Sequence, residues 1–582
     1  MTGAEAIVKC LLEEEVHYVF GYPGVAICPF FDSLELEGIQ GILVRSEQNA
    51  AHEANGYARI SGKPGVCAVT SGPGATNVIT GIATAFADSI PLIVITGQVE
   101  SRLLGSDVFQ EADICGASES FVKYSYTVRS AEEIPSVFKE AFHIAMTGRK
   151  GPVLIDIPID VQKASVRRFQ YPKEVRLRTY RPTVQGNPVQ IKKMFQRLAA
   201  TKRPILCVGG GVHLADAKER VRAFSKKFNI PVVCTMMGLG VMEEKDPLFF
   251  GMVGNNGKPY GNKAMNHADL IIMMGARVAD RSISQPDLIT DNKTLIHIDV
   301  DPAEIGKNAG PEIPLVGDIA SVLDACLEEE GEFSYAPWIS ELENIKGEIQ
   351  KVLQKKKEEG MAKNNLVHPE YFLEELNKQL NQDAVYVADV GQNQLWSCAN
   401  YQMKEGHFLT SGGMGTMGYS TPAAIGAYLA DSKKQVVAVM GDGSFQMTNQ
   451  ELVPCTLDNI PVKILLINNS SLGMVRQWQT LFYNERYSQT ALFDGARRAE
   501  DAEVVGVPDF MLLAQAYGVA GIRVTREDQI EDAIKQARAI NDRPVLIEVV
   551  VSPDAMVFPM VPAGKSNDQV IYSQTQTVEW EG

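Results

Sequence analysis

Short apolar runs punctuate the chain at residues 66–70, 92–96, 153–157, 205–208, 270–274, 295–300, 385–388, 436–440, 464–467 and 545–551, mostly ending at Gly, Pro or Asp. Apolar residues follow one another within each run without polar alternation, which is the pattern of strands buried on both faces. Between the runs lie longer stretches with helical spacing, among them 501–517 and 527–539. Strands alternating with helices predict parallel sheets and an α/β class.

Two breaks divide the series. Residues 162–188 carry Pro172, Pro182 and Pro188 among seven Lys and Arg residues, which predicts an extended, solvated connector. Further on, Leu342, Ile345, Ile349, Val352 and Leu353 share one helical face ahead of Lys355-Lys356-Lys357-Glu358-Glu359, an amphipathic helix running into a charged link. The expected organisation is three doubly wound parallel-sheet domains. The first spans 1–165, with a linker over 166–188; the second spans 189–335, with a linker helix over 336–365; the third spans 366–551 and is followed by a tail over 552–582. A chain of 582 residues is too long for one core, so several domains are expected from length as well.

Composition narrows the function. With 45% apolar and 22% charged residues the chain resembles soluble globular proteins. Its 55 Lys and Arg against 71 Asp and Glu leave a net charge of −16, which disfavours nucleic acid and anionic lipid as partners. No run of about 18 apolar residues is present, and the N-terminus has neither a basic nor an apolar targeting segment, so a cytoplasmic protein without a membrane span is expected. Nine cysteines without a C-x-x-C pair read as buried thiols, and His52-Glu53 lacks the second histidine of a zinc protease helix.

The strongest local signal is Gly441-Asp442-Gly443 after one apolar run, with Asn468-Asn469 closing the next after 24 intervening residues. A bare Gly-Asp-Gly is more often a strand-to-helix turn with a capping Asp. The Asn pair after a second strand reverses that preference, because it brings Asp442 and Asn469 together at the carboxyl ends of parallel strands, where open α/β sheets bind ligands. A carboxylate, an amide oxygen and a backbone carbonyl offered by Ser471 are hard oxygen ligands suited to Mg²⁺, with positions left for phosphate oxygens and water.

This spacing resembles the thiamine diphosphate motif. Enzymes of that kind also need a carboxylic acid beside the cofactor's aminopyrimidine, and Glu47 in Arg45-Ser46-Glu47-Gln48-Asn49 is the candidate; alone it would read as a helix-start acid. Further stretches resemble the catalytic subunit of the acetohydroxyacid synthase (acetolactate synthase) family: Gly21-Tyr22-Pro23-Gly24, Thr70-Ser71-Gly72-Pro73-Gly74-Ala75-Thr76-Asn77, Asp107-Val108-Phe109-Gln110-Glu111, Met237-Gly238-Leu239-Gly240, Gly275-Ala276-Arg277, His297-Ile298-Asp299-Val300-Asp301, Gly412-Gly413-Met414-Gly415-Thr416-Met417-Gly418-Tyr419 and Gly473-Met474-Val475-Arg476-Gln477-Trp478-Gln479. They span nearly the whole chain.

The resemblance implies a pyrimidine-binding first domain, a central FAD-binding type domain and a diphosphate-binding third domain. It implies decarboxylation of pyruvate on thiamine diphosphate and condensation of the two-carbon unit with a second small 2-keto acid, pyruvate or 2-ketobutyrate, in branched-chain amino-acid synthesis. Thiamine diphosphate would be held by Pro23, Gly24, Glu47, Gly415, Met417, Gly441, Asp442, Gly443, Ser444, Met447, Asn469, Leu472, Gly473 and Met474, with Met447 as the wedge that bends it. Mg²⁺ would be held by Asp442, Asn469 and Ser471. A structural FAD would be held by Gly210, Gly211, Gly275, Arg277 and Asp299. Glu47, Gln110, Arg277 and Trp478 would be catalytic, with Arg277 on the acceptor's carboxylate and Trp478 against its alkyl group. A homodimer or tetramer is implied, since the cofactor bridges two subunits, and a separate regulatory subunit is compatible.

Some positions depart from the family pattern. Gly254-Asn255-Asn256-Gly257 replaces a Gly-Met-His-Gly, Ser46 replaces a His before the acid, and Val25 and Ile159 replace a Gly and a Lys. The first departure bears on FAD; Val25 and Ile159 bear on the acceptor. Gly413-x-Gly415-x-x-Gly418 also matches a dinucleotide fingerprint, but no clear strand is expected before it. Competing readings are another thiamine diphosphate carboligase, a pyruvate oxidase-like enzyme and a non-catalytic paralogue.

Overall fold

The computed structural model describes residues 1–361, 366–400, 402, 405–492, 508–562 and 564–573. The first sheet contains β1 (Tyr18–Tyr22), β2 (Gln40–Leu43), β3 (Gly65–Val69), β4 (Leu92–Gln98), β5 (Tyr124–Thr127) and β6 (Val153–Pro158), in the order β2-β1-β3-β4-β6-β5. The second contains β7 (Pro204–Val208), β8 (Val232–Cys234), β9 (Phe249–Met252), β10 (Leu270–Met274), β11 (Thr294–Asp299) and β12 (Ile313–Val316), in the order β12-β11-β10-β7-β8-β9. The third contains β13 (Val385–Ala388), β14 (His407–Thr410), β15 (Val436–Gly441), β16 (Lys463–Asn468), β17 (Ala520–Val524) and β18 (Val545–Val550), in the order β14-β13-β15-β16-β18-β17.

Neighbouring strands pair in parallel, as in β4 with β6, β7 with β10 and β15 with β16. Numbered within their own domains, the first and third sheets have the same order, 2-1-3-4-6-5, which reverses direction between the first and third strands. The second has the order 3-2-1-4-5-6 and reverses between β7 and β10. Ligands bind beyond the carboxyl ends of strands at such reversals. In the first sheet that point lies beyond Tyr22 and Val69, and in the third beyond Ala388 and Gly441.

All ten continuous apolar runs are strands, and central ones such as β4 and β7 are buried along their full length. The strands that the apolar pattern does not predict include β5, β9, β12, β14 and β17, which are sheet edges. β5 and β17 are buried only in part, and an edge strand wet on one side has no reason to be apolar throughout. The expected helix over 501–517 is observed as Phe510–Ala516, capped by the Asp509 side chain accepting from the Met511 N–H; residues 501–507 lie outside the described part. The amphipathic segment is the helix Ala336–Met361, and residues 362–365, at the end of the expected linker, also lie outside. Trp338 and Leu342 of this helix are buried in the central core, where the Trp338 indole N–H donates to the Pro204 carbonyl at 3.0 Å. Residues 164–187 have little regular structure, and Phe169, Tyr171 and Tyr180 lie against the first domain. The expectation of buried thiols needs correction at two positions: Cys28, the first residue of the helix Cys28–Glu37, is exposed, and Cys115, in the short helix Ile114–Ser118, is partly so. Among the described residues no helix is long and apolar enough to cross a membrane.

The first and third domains are joined by two crossing helices, Glu47–Ser61 and Ser420–Ala430. Backbone approaches backbone there: a Cβ on Gly56 would run into the Ala423 carbonyl, and one on Gly426 into that of Glu53. Polar bonds flank the crossing. Tyr419 Oη donates to Asn55 Oδ1 at 2.8 Å, Arg59 pairs with Asp88 at 2.7 Å, and Asp88 accepts the Gly413 N–H at 2.7 Å. Glu451 Oε1 accepts from the Arg45 backbone N–H at 2.9 Å and from Asn49 Nδ2 at 2.7 Å.

Glu53 sits fully buried in this contact, and neither carboxyl oxygen has a hydrogen-bond partner. Burial, and then the nearby Glu451 and Asp458, push its pKa well above the ordinary range. Burial likewise pushes Glu451 up from 4.5 to about 7, against the bonds from Asn49 and Arg45. The folded chain therefore holds these protons more tightly than the unfolded chain. The stability they contribute is complete below the ordinary carboxyl value and is lost as pH rises through each raised value, about 7 for Glu451. Glu53→Met should narrow the drop in melting temperature between about pH 5 and about pH 8. An unchanged drop would place the pH dependence elsewhere.

Candidate active site

Glu47 opens the helix Glu47–Ser61, directly after the turn that follows β2. Its Oε2 accepts from Asn77 Nδ2 at 3.1 Å. Asn77 closes the short helix Pro73–Asn77, which starts at Gly72 beyond β3, so the carboxyl ends of β2 and β3, on either side of β1, deliver the two residues to one place. Gly72 has φ +61°, and a Cβ there would lie 2.9 Å from Gln110 Cα, while a Cβ on Gly74 would lie 3.4 Å from Glu47 Oε1. Gln110 itself has φ +60°. Gly24, after Pro23, packs on the Thr70 side chain, whose hydroxyl is buried without a partner. Pro23, Gly24, Glu47 and Gln110 thus gather around the Gly72–Gly74 turn.

The second group lies at the carboxyl ends of β13, β15 and β16. The pairing of Gly441 with Ile467 sets Asp442 beside Asn468 and Asn469 as the chains leave the sheet. Asp442, Asn469 and Ser471 are all buried. Asp442 has no cationic side chain paired with it among the described residues, and burial pushes its pKa from 3.8 to about 7 despite backbone N–H groups of Asn469 and Gly443. Asn469 Oδ1 accepts the Ser471 N–H at 3.1 Å, and Ser471 Oγ has no partner. An unpaired buried carboxylate beside an amide oxygen and an orphan hydroxyl fits a hard divalent cation. Among the described residues no cluster of three or more His, Cys, Asp or Glu offers an alternative metal site.

Gly441 precedes the helix Asp442–Thr448, which carries Gly443, Ser444 and Met447. A Cβ on Gly443 would lie 2.8 Å from Leu472 and 3.4 Å from Met417, so those three residues meet. Gly415, with φ +67°, faces open space. The Gly413–Gly418 stretch does follow a strand, β14, contrary to expectation; β14 is a short edge strand, and Asp88 and Thr84 of the first domain hold the loop. Gly473 and Met474 begin the helix Gly473–Phe482, in which Met474 packs on the third core and Trp478 lies partly exposed against Phe482, ring centroids 5.0 Å apart.

These two groups are not joined within the chain. Among the described residues no hydrogen bond links Glu47, Asn77 or Gln110 to Asp442, Asn469 or Ser471. Each group is instead edged by exposed apolar side chains, Val25 (77%) and Phe109 (87%) on one and Met447 (55%) and Met414 on the other.

The central-domain candidates flank the β7/β10 reversal. The Gly211 N–H donates to the Gly275 carbonyl at 2.9 Å, and Gly210, just before Gly211, lies against Met237. Arg277 follows, partly buried, with no ion pair among the described residues. Asp299 ends β11, accepts the Asp301 N–H at 2.9 Å, and is pushed to about 6 by burial. Glycines without room for side chains and a free guanidinium at a reversal point fit a dinucleotide. No bond joins Arg277 to Trp478.

Gln392 and Asp389, which sequence reading passed over, belong to these groups, as do Thr70 and Asn77, which stood in the sequence only within the stretch 70–77 and without a role of their own. Asp389 accepts the Gly418 and Ser420 N–H groups at 3.0 and 2.8 Å, and so shapes the loop holding Gly415 and Met417. Its position at the end of β13, matching Asp442 at the end of β15, was the available signal.

Family comparison assigns residues 1–117 to the thiamine pyrophosphate enzyme N-terminal TPP binding domain, 191–326 to its central domain and 389–549 to its C-terminal TPP binding domain. Thiamine pyrophosphate is thiamine diphosphate under its other name. The chain is 44% identical to the acetolactate synthase large subunit of Corynebacterium glutamicum, over 98% of this chain and 90% of that one. It is 42% identical to that of Haemophilus influenzae, over 99% of each, and 41% identical to that of Lactococcus lactis, over 98% and 96%. The Glu47 and Asp442 groups fall in or beside the two matched thiamine-binding domains, and the chain belongs to the acetolactate synthase large-subunit family of thiamine diphosphate-dependent enzymes.

Proposed function

We propose that the enzyme forms 2-acetolactate from two pyruvates, or 2-aceto-2-hydroxybutyrate when 2-ketobutyrate is the acceptor, as a step toward branched-chain amino acids. The observation that carries this reading is the pair of complementary half-sites, an acid at a helix start on one domain and, on another, a buried Asp442 with no cationic side chain paired to it among the described residues, beside Asn469 and Ser471. The names of the relatives supply the reaction. The strands of each sheet fall within the proposed domains 1–165, 189–335 and 366–551. Unpaired cysteines suit a reducing, cytoplasmic setting. The relatives are called large subunits, which supports a separate small subunit here.

When bound, thiamine diphosphate supplies the carbon that attacks a 2-keto acid and takes up the electrons freed with carbon dioxide. Glu47 would hold a proton at the aminopyrimidine nitrogen, with Asn77 fixing its carboxyl. Asp442, Asn469 and Ser471 would hold Mg²⁺ and, through it, the diphosphate; the glycines at 441, 443 and 473 would let backbone approach. Met447 would press on the cofactor from the third domain. Arg277, without an ion pair among the described residues, would anchor the acceptor's carboxylate, Trp478 would bound the space for its alkyl group, and Gln110 would lie beside the reacting carbons. Gly210, Gly211, Gly275, Arg277 and Asp299 would hold FAD in a structural role.

Exposed Val25, Phe109 and Met447 at the two unjoined half-sites support a homodimer in which each site combines the first domain of one copy with the third of the other. Glu47→Ala should fold and bind cofactor while losing turnover by about 10²–10⁴-fold, read as acetolactate per enzyme. Turnover near the wild-type value would remove Glu47 from proton transfer. Inactive Glu47→Ala and Asp442→Ala proteins, dissociated together and reassociated, should recover about a quarter of wild-type activity, because one site in each mixed dimer is intact. No recovery would place both residues of a site in the same copy.

A further inference from the structure

Asn469 can serve a cation only if its amide turns Oδ1 toward Asp442, and an amide has two ends that differ little in shape. The surroundings settle which end points where. The Val557 N–H donates to Gln477 Oε1 at 2.8 Å, and Gln477 Nε2 donates to the Val557 carbonyl at 3.0 Å. Backbone groups cannot exchange roles, so the Gln477 amide has one orientation. Gln392 Nε2 then donates to that same Oε1 at 3.0 Å and to the Ala555 carbonyl at 2.8 Å, which leaves Gln392 Oε1 facing the next amide. Asn469 meets it with Nδ2 at 3.1 Å, and its Oδ1 takes the Ser471 N–H at 3.1 Å. Every link is polar, buried and referred to a backbone group at its far end.

Gly473 closes over this chain of amides. A Cβ there would run into both Gln392 Oε1 and Asn469 Nδ2. The segment that fixes Gln477 continues to Val561, whose N–H donates to the Asn255 carbonyl at 2.7 Å, so the Gly254–Gly257 loop of the central domain holds the same strap.

We propose that Gln392 is a positioning residue that holds the Asn469 amide oxygen-first for the divalent cation, with Gln477 and the 555–557 backbone as its anchor. The inference rests on the reading of Asp442, Asn469 and Ser471 as metal oxygens. Without Gln392 the Asn469 amide keeps only the Ser471 N–H as a fixed partner, on Oδ1, while Nδ2 loses its acceptor, so the oxygen is held less firmly where a cation needs it. Residues that orient metal ligands are worth about 10–100-fold in metal affinity.

The test is Mg²⁺ titration of the full-length apo-protein with thiamine diphosphate present, followed by tryptophan fluorescence and calorimetry. Gln392→Leu should weaken Mg²⁺ binding about 10-fold or more. Adding Asn469→Asp should restore affinity to within about threefold of wild type, because a carboxylate offers oxygen at both ends. A merely structural role for Gln392 gives no such rescue. Gln477→Leu, which does not touch Asn469, should show the same loss and the same rescue, and it decides the matter if Gln392→Leu melts too early to titrate. Binding unchanged within about twofold, or a loss that Asn469→Asp leaves in place, overturns the proposal. Asp442→Ala in the same titration separates the two levels: if it binds Mg²⁺ as the wild type does, the metal reading itself fails.

Discussion

The close crossing of the helices Glu47–Ser61 and Ser420–Ala430 is the contact on which the rest of the molecule depends. Gly56 and Gly426 let one backbone lie on the other, and any side chain at either position would force them apart. One helix begins at Glu47. The other begins just after the Gly412–Gly418 loop, whose amides are held by Asp88 and Asp389. The spacing of this crossing therefore fixes the domain of Glu47 against the Gly412–Gly418 loop of the same chain. It also explains why so many polar residues of the first helix are buried: Asn49, His52, Glu53 and Asn55 face another helix rather than water. His52 is kept neutral by burial, its pKa lowered to about 3, which leaves it no role in acid–base chemistry near neutral pH.

Sheet topology places the chemistry. The first and third domains repeat one strand order, and each gathers its candidate residues at the carboxyl ends of the reversal strands and of a strand beside them, β2 in the first and β16 in the third. The first contributes a carboxyl group at a helix start, and the third contributes a carboxylate, an amide and a hydroxyl. Burial gives these groups different characters. Glu47 lies at a partly open edge with one amide partner, whereas Asp442 is enclosed and pushed to about 7, a state that a cation would reverse. The central domain has the dinucleotide strand order and sets Arg277, without an ion pair among the described residues, at its own reversal point.

The strands buried on both faces were legible in the sequence, because every residue in β4, β7 or β10 had to be accommodated in apolar surroundings. Edge strands such as β14 and β17 were not, since half of each faces water and the apolar signal is diluted. Asp442 and Asn469 were legible as a site because strand ends repeat at fixed spacing. Gln392 and Gln477 were not, because their importance lies in which end of an amide points where, and that is set by Ala555 and Val557, far along the chain. Asn77 was visible as part of the stretch 70–77, but its bond to an acid 30 residues away was not. Asn255 was read as a departure bearing on FAD, and its bond to the Val561 strap gives it a second, structural context.

The most direct measurement of the central claim is acetolactate formation from pyruvate by the purified protein, with thiamine diphosphate, Mg²⁺ and FAD withheld one at a time. The account predicts product with all three present and none when thiamine diphosphate or the divalent cation is withheld. Pyruvate consumed without acetolactate, or acetolactate formed undiminished in the absence of thiamine diphosphate, would contradict it.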